Sequence, residues 1–398
     1  MKSILVTHPW MGRGGSEATA MWTLQALQDD YRVFFATASP MDWAEMNEAY
    51  GTSVDPEKIT CLRAPKLPTV DGPSRLVAAQ LRWFERYCNR IAPDFDICLS
   101  AYNPVDFGRP GIQLIGDFSF SEEMRKRLYI YGESRFCHKE TSLRKAYLKA
   151  SSMVGIRQRP LRERGDLILA NSGWCVEQLA EHFGVDKSPV IYPPVILPDA
   201  PAGAVRDPLG FVCLGRVVPE KEIERMIRIL GGVRKSGFPV TLRLIGSLDD
   251  SDYSQRIGEL VFQHDWITPE GFLTLGKKQE ILASMTWAIH GCRIEAFGIA
   301  VAEMASMGCL PVVPDTGGAV EIVPFSELQY ATEEEAVTKI VALLSDPDKA
   351  AEYRRKLAGR MDRFGPEVFM GELREHVLGF SGSEQLNGAT AKSPATVG

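Results

Sequence analysis

Long apolar runs are missing from this chain of 398 residues. No stretch approaches the ~18 to 20 uninterrupted apolar residues that a membrane-spanning helix requires. The segment Met1–Thr7 is too short, and turns polar too soon, for a secretion signal; it reads as a first buried strand. A cytoplasmic protein is therefore expected. The eight cysteines include no Cys-x-x-Cys pair. Cys98, Cys213 and Cys309 sit inside apolar, strand-like runs, which points to free buried thiols and away from disulfides or zinc. A net charge of −6 and the lack of any recognition motif exclude a nucleic-acid partner.

What is present is alternation. Ile4–Thr7, Val33–Ala36, Ile97–Ser100, Ile112–Ile115, Leu167–Ala170 and Val190–Tyr192 read as short buried strands, with helices at Ser16–Leu27 and Val176–Phe183. Ser16 and Ser172 are candidate helix caps. Pro193-Pro194 and the Pro/Gly/Ala-rich stretch from Leu197 interrupt the pattern. It then resumes with strands at Phe211–Leu214, Leu242–Ile245, Phe272–Leu275, Trp287–His290 and Leu310–Val313. Helices are expected at Ile223–Lys235, Gln255–His264, Gln279–Ser284, Gly298–Met307 and Glu333–Leu344. Such alternation specifies an α/β fold with two doubly wound, parallel-sheet domains. The expected divisions are a first domain at 1–195, a linker at 196–208, a second domain at 209–365, a helix at 366–380 and a disordered tail at 381–398.

The chemistry concentrates in Glu295-Ala296-Phe297-Gly298-Ile299-Ala300-Val301-Ala302-Glu303. A loop feeding a helix N-terminus offers unpaired amides and the positive end of a dipole, which suit a phosphate. Flanking carboxylates are poorly placed for phosphate and well placed for sugar hydroxyls. Upstream, Gly215-Arg216-Val217-Val218-Pro219-Glu220-Lys221 follows a strand and supplies a guanidinium and an ammonium where open α/β sheets bind ligands. Gly12-Arg13-Gly14-Gly15-Ser16-Glu17 opens the first helix. It fails the dinucleotide pattern because Glu17 stands where glycine is needed.

The Glu-x7-Glu spacing, followed by Gly308–Val313 and by Thr316-Gly317-Gly318-Ala319-Val320-Glu321, resembles the signature of retaining GT-B glycosyltransferases, in particular glycosyltransferase family 4. The resemblance implies two Rossmann-like domains facing a cleft and a helix near Pro366 crossing back to the first domain. It implies that Arg216 and Lys221 hold a donor diphosphate, and that Phe297, Gly298 and Ile299 present amides to the donor. It also implies that Glu303 accepts from the ribose, that Glu295 contacts the transferred sugar, and that Gly14 and Gly15 approach the donor phosphate. No cofactor and no metal are implied; the co-substrate is a UDP- or GDP-linked sugar, and the acceptor a glycan or lipid-linked hydroxyl.

The family commonly carries His-Asp where this chain has Gly116-Asp117. Asp117 orients a sugar hydroxyl or caps a turn. Asp249-Asp250-Ser251-Asp252 invites a metal reading, yet it lies between a strand and a helix and reads as a solvated, helix-capping loop. His8 lies alone at a strand end, and His290 reads as packing beneath the site. Between residues 124 and 164 twelve lysines and arginines interleave with aromatic and leucine residues against three glutamates. That segment suits an anionic surface and a peripheral position at the cytoplasmic membrane face. Two alternatives stay open: a degenerate transferase that binds nucleotide sugar without turnover, and another enzyme of the same shape, such as a nucleotide-sugar 2-epimerase or a sugar phosphorylase.

Overall fold

The computed structural model describes residues 1–390 apart from 13, 68–75, 129–140 and 197–204, and the backbone alone of 382–390. Two six-stranded parallel sheets organise it. The first holds β1 (Ser3–Thr7), β2 (Arg32–Thr37), β3 (Ile59–Arg63), β4 (Ile97–Ser100), β5 (Ile112–Ile115) and β6 (Leu167–Ala170). The second holds β7 (Asp207–Leu214), β8 (Thr241–Ile245), β9 (Ile267–Gly271), β10 (Met285–Ile289), β11 (Leu310–Pro314) and β12 (Gln329–Tyr330). Helices cover both faces, so the central strands β1, β4, β5, β10 and β11 are buried throughout. Burial on both faces explains why they read as continuous apolar runs instead of alternating ones.

The strand orders are β3-β2-β1-β4-β5-β6 and β12-β11-β10-β7-β8-β9. Read from its β9 end, the second repeats the first. In each sheet the winding reverses at one strand pair, β1/β4 and β7/β10. The crevice outside the carboxyl ends of such a pair is where doubly wound sheets take ligands. The GT-B architecture expected from the sequence is thus the one observed.

Several elements differ from expectation. Phe272–Leu275 is not a strand: β9 lies just before it, Gly271 ends that strand at φ +66°, and Leu275 begins a helix. The apolar run misled because Phe272 is exposed, whereas edge strand β9 has a weak pattern broken by Pro269. Val190–Tyr192 contributes a single bridge to Ala170 in place of a strand. Ser16 does not cap its helix, whose N-cap is Gly14; Ser172 does, accepting from the Cys175 amide at 3.1 Å. The aspartate run behaves as expected, with Ser251 capping the helix Asp252–Phe262. No disulfide joins the described cysteines, and Cys98, Cys213 and Cys309 are buried.

The helix Pro366–Thr390 returns to the first sheet. Phe369, Met370, Leu373 and Val377 join Leu24 and Leu27 in that domain's core, and Arg374 Nε donates to the Ala26 carbonyl at 2.8 Å. It continues past Ser381, where a disordered tail was expected, because adding residues to a formed helix costs far less than nucleating one. Residues 391–398 lie outside the described residues.

The basic segment is partly structural. Arg144 is buried and paired with Glu122, Arg159 forks onto buried Asp106 at 2.6 Å, and Arg164 donates to the Arg159 carbonyl at 2.7 Å. Arg144 and Arg164 are thereby withdrawn from the surface, and Arg159 is committed to Asp106. Its stretch 129–140 lies outside the described residues.

Candidate active site

The second sheet's crevice assembles from two loops. After β7, Gly215 leads to exposed Arg216 and then to the short turn Pro219–Lys221. After β10, the chain runs through His290, Cys292 and Arg293 to Glu295. The loops meet where the Lys221 ammonium bonds the Glu295 Oε2. His290 Nε2 lies 3.1 Å from the same oxygen. Burial opposes ionisation of Glu295, but Lys221 and His290 outweigh it and hold the carboxyl well below its usual range. Burial likewise works against the Lys221 charge, and Glu295 restores it, so the ammonium is held above its ordinary value. The pair is therefore charged at neutral pH. Burial holds the His290 imidazole below its ordinary range despite the neighbouring carboxylate. His290 is fixed by its amide on the Val312 carbonyl and by Tyr330, whose hydroxyl donates to the His290 carbonyl at 2.6 Å.

The helix Ile299–Ser306 starts beside this pair, with Gly298 as N-cap at φ +106°, a conformation that a side chain would strain. Among the described residues the amides of Phe297, Gly298 and Ile299 find no acceptor, as a helix N-terminus leaves them. Phe297 is itself fully buried, packed at 5.6 Å from Tyr192 and 5.3 Å from Phe364. Its side chain anchors the loop while its backbone stays available. Glu303 follows one turn on, and Lys278 Nζ from the helix Leu275–Ser284 lies 3.0 Å from its carboxylate. Lys221, with Arg216 near enough to act on its charge, thus meets Glu295 beside the start of the helix that carries Glu303.

The first sheet's crevice faces them. A Cβ built on Gly15 would lie 2.7 Å from the Ile299 side chain, so the glycine-rich loop abuts the helix that carries Glu303. The Gly14 amide is already committed to the Tyr50 hydroxyl at 3.0 Å, and Tyr50 in turn donates to the Gly12 carbonyl at 2.7 Å. Asp117 follows β5, and its Oδ1 accepts from Asn103 Nδ2 at 2.9 Å and from the Ser119 amide at 2.8 Å. That oxygen is occupied in fastening two loops together.

Sequence reasoning read Ser172 as a helix cap and foresaw none of the contacts that lock the two halves. Ser172 Oγ and Cys175 Sγ both reach the Ala296 carbonyl, next to Glu295. Glu321 accepts from the Trp174 amide at 3.2 Å and from the Tyr192 hydroxyl at 2.9 Å. The Gly-Gly-x-x-Glu motif signalled Glu321; nothing in sequence linked it to Tyr192, 129 positions away. Lys278 and Tyr50 carried no signal either. Among the described residues His290, Cys292 and Glu295 hold their ligand-type atoms within 4.8 Å of one another. The carboxylate of that cluster is engaged by Lys221, and burial pushes the Cys292 thiol up to about 12.

Residues 200–359 match the family model described as glycosyl transferases group 1. A curated relative from Dictyostelium discoideum, described as GDP-Man:Man(3)GlcNAc(2)-PP-Dol alpha-1,2-mannosyltransferase, is 22% identical over 240 residues, covering 53% of this chain and 46% of that protein. The chain therefore spans about half the length of the curated relative it matches. Among solved structures, Anabaena Alr3699/HepE in complex with UDP and glucose aligns with a TM-score of 0.66 at 15% identity, over 95% of this chain and 100% of that one. Sucrose-phosphate synthase from Thermosynechococcus elongatus aligns with a TM-score of 0.69 at 15% identity, over 95% and 100%. WaaG, a glycosyltransferase involved in lipopolysaccharide biosynthesis, aligns with a TM-score of 0.65 at 14% identity, over 93% and 99%. At these identities the structures establish a shared fold.

Proposed function

We propose that this chain is a retaining, metal-independent glycosyltransferase. It moves a sugar from a UDP- or GDP-linked donor to a hydroxyl of a glycan or lipid-linked acceptor. The observation that carries the reading is the convergence, in the β7/β10 crevice, of two cations, two carboxylates and a free helix N-terminus. The match of residues 200–359 to glycosyl transferases group 1 supports it. So do the UDP complex of Alr3699/HepE and the GDP-mannose specificity in the description of the Dictyostelium relative.

The donor diphosphate lies against the 297–299 amides, with Arg216 and Lys221 neutralising its charge. To bind it, Lys221 exchanges the Glu295 carboxylate for phosphate oxygens. Glu295 is then free to accept from hydroxyls of the transferred sugar and to face positive charge developing at the anomeric carbon. Glu303 accepts from the ribose, with Lys278 beside it. The anomeric carbon–oxygen bond breaks toward the diphosphate, the acceptor oxygen bonds the same face of that carbon, and the acceptor proton passes to the departing diphosphate. Arg216 and Lys221 supply the positive charge that a divalent cation supplies elsewhere.

The test is release of nucleoside diphosphate from UDP- and GDP-sugars in EDTA. Activity is expected with at least one donor, and Arg216→Ala should lower turnover by about 100-fold, the scale of losing one charge-stabilising group. Unchanged turnover in that variant would sink the diphosphate assignment. Epimerised donor without diphosphate release would favour the 2-epimerase reading; binding without any turnover, the degenerate transferase.

A further inference from the structure

We propose that His8 is a substrate-binding residue of this site, whose imidazole hydrogen-bonds a hydroxyl of the transferred sugar. The inference rests on the glycosyltransferase reading and extends it to the first sheet. His8 follows β1 directly, in the β1/β4 crevice where that sheet is built to take a ligand. It is 3% exposed, and neither ring nitrogen makes a well-directed hydrogen bond among the described residues, although the Trp10 backbone lies alongside. A buried donor and acceptor left unmade are costly, and each such group calls for an explanation.

The neighbouring polar groups are satisfied among themselves. The His8 ring packs 5.3 Å from that of Tyr102, whose hydroxyl meets Ser119 Oγ at 3.3 Å. Asn103, held at φ +55°, reaches Asp117 and Ser119. His8 alone of this group is left out. At the end of β6, Asn171 gives its Nδ2 to the Gly116 carbonyl at 2.8 Å and keeps an unpartnered Oδ1. At Gly116 an added Cβ would meet nothing within 4 Å, so this row of strand ends has room.

The occupant is defined by chemistry. Burial holds the His8 imidazole at about 4, against the opposing influence of Glu17 and of the Trp10 backbone. A neutral imidazole donates from one nitrogen and accepts at the other, the complement of a hydroxyl, which does both. Gly15, at the start of the helix after β1, abuts Ile299 at the start of the helix that carries Glu303, so the strand ends of the first sheet lie beside the proposed donor site, where the transferred sugar is the group rich in hydroxyls.

Two variants test this by calorimetry with UDP, GDP and their hexose conjugates. His8→Phe keeps a ring against Tyr102 and removes both hydrogen bonds; His8→Gln restores one donor and one acceptor. The expected result is unchanged affinity for the free nucleoside diphosphate, a loss of about tenfold for the sugar conjugate in His8→Phe, and recovery in His8→Gln. Equal affinity of His8→Phe and the unaltered chain for the conjugate overturns the proposal. So does a parallel loss for diphosphate and conjugate, which would mark a structural role. Failure of the unaltered chain to bind any nucleoside diphosphate overturns the glycosyltransferase reading as well, and so separates the two failures.

Discussion

Lys221 and Glu295 form an ion pair that, on the proposed function, donor binding must open. Their side chains are about a fifth exposed, at 19% and 18%. Removing the cation therefore leaves a mostly buried carboxylate, which burial pushes toward protonation. In the intact chain the carboxyl is held below its unfolded value, so its stabilisation is present above about pH 4.3 and fades as pH falls toward the folded value. In Lys221→Met the sign reverses: a carboxyl held above its unfolded value costs stability as pH rises through it. We expect that variant to be less stable by about 2 kcal/mol at pH 7, below the range for a fully buried pair because solvent screens this one. The deficit should shrink near pH 4. Urea denaturation at both values checks it, and a deficit independent of pH contradicts the pairing.

At the scale of elements, the helix Ser142–Val154 shows what surface remains of the basic segment. Leu143 and Met153 are 72% and 79% exposed, and Lys145 and Lys149 are exposed beside them. At about 100° per residue Lys145, Lys149 and Met153 fall on one face, with Leu143 at its margin beyond Met153. A face of this kind suits the surface of an anionic membrane, where a lipid-linked acceptor resides. Lys145→Glu with Lys149→Glu should weaken co-sedimentation with anionic liposomes several-fold and leave donor turnover in solution intact; equal sedimentation would remove the membrane from the account. The same element scale shows what sequence could and could not disclose. Buried central strands such as β1 and β10 were legible because burial on both faces leaves an unbroken apolar run. The edge strands β3, with Ile59 buried and Thr60 and Cys61 exposed, and β9 were not, because half their residues face solvent. Arg216, Lys221, Glu295 and Glu303 stood out as candidates in the sequence because their motifs resemble those of a known family. Lys278 and Tyr50 did not, and of Ser172 only the cap was legible, since these contacts arise only through the fold.

At the scale of the whole molecule, the two sheets repeat one strand order and turn their reversal points toward each other. Gly15 against Ile299, Ser172 on the Ala296 carbonyl and Tyr192 on Glu321 hold them there. The helix Pro366–Thr390 fastens the chain's end to the first core. On the proposed function, a donor bound on the second half is thereby presented to the strand ends of the first. The most direct test of this account is titration calorimetry of UDP, GDP and ADP against the intact chain in EDTA, repeated with Arg216→Ala and Glu303→Ala. We predict that at least one nucleoside diphosphate binds and that each variant weakens it by about tenfold or more, the two reporting diphosphate and ribose contacts separately. Binding of none of the three, or equal binding by the intact chain and both variants, would contradict the assignment of a donor site to the β7/β10 crevice.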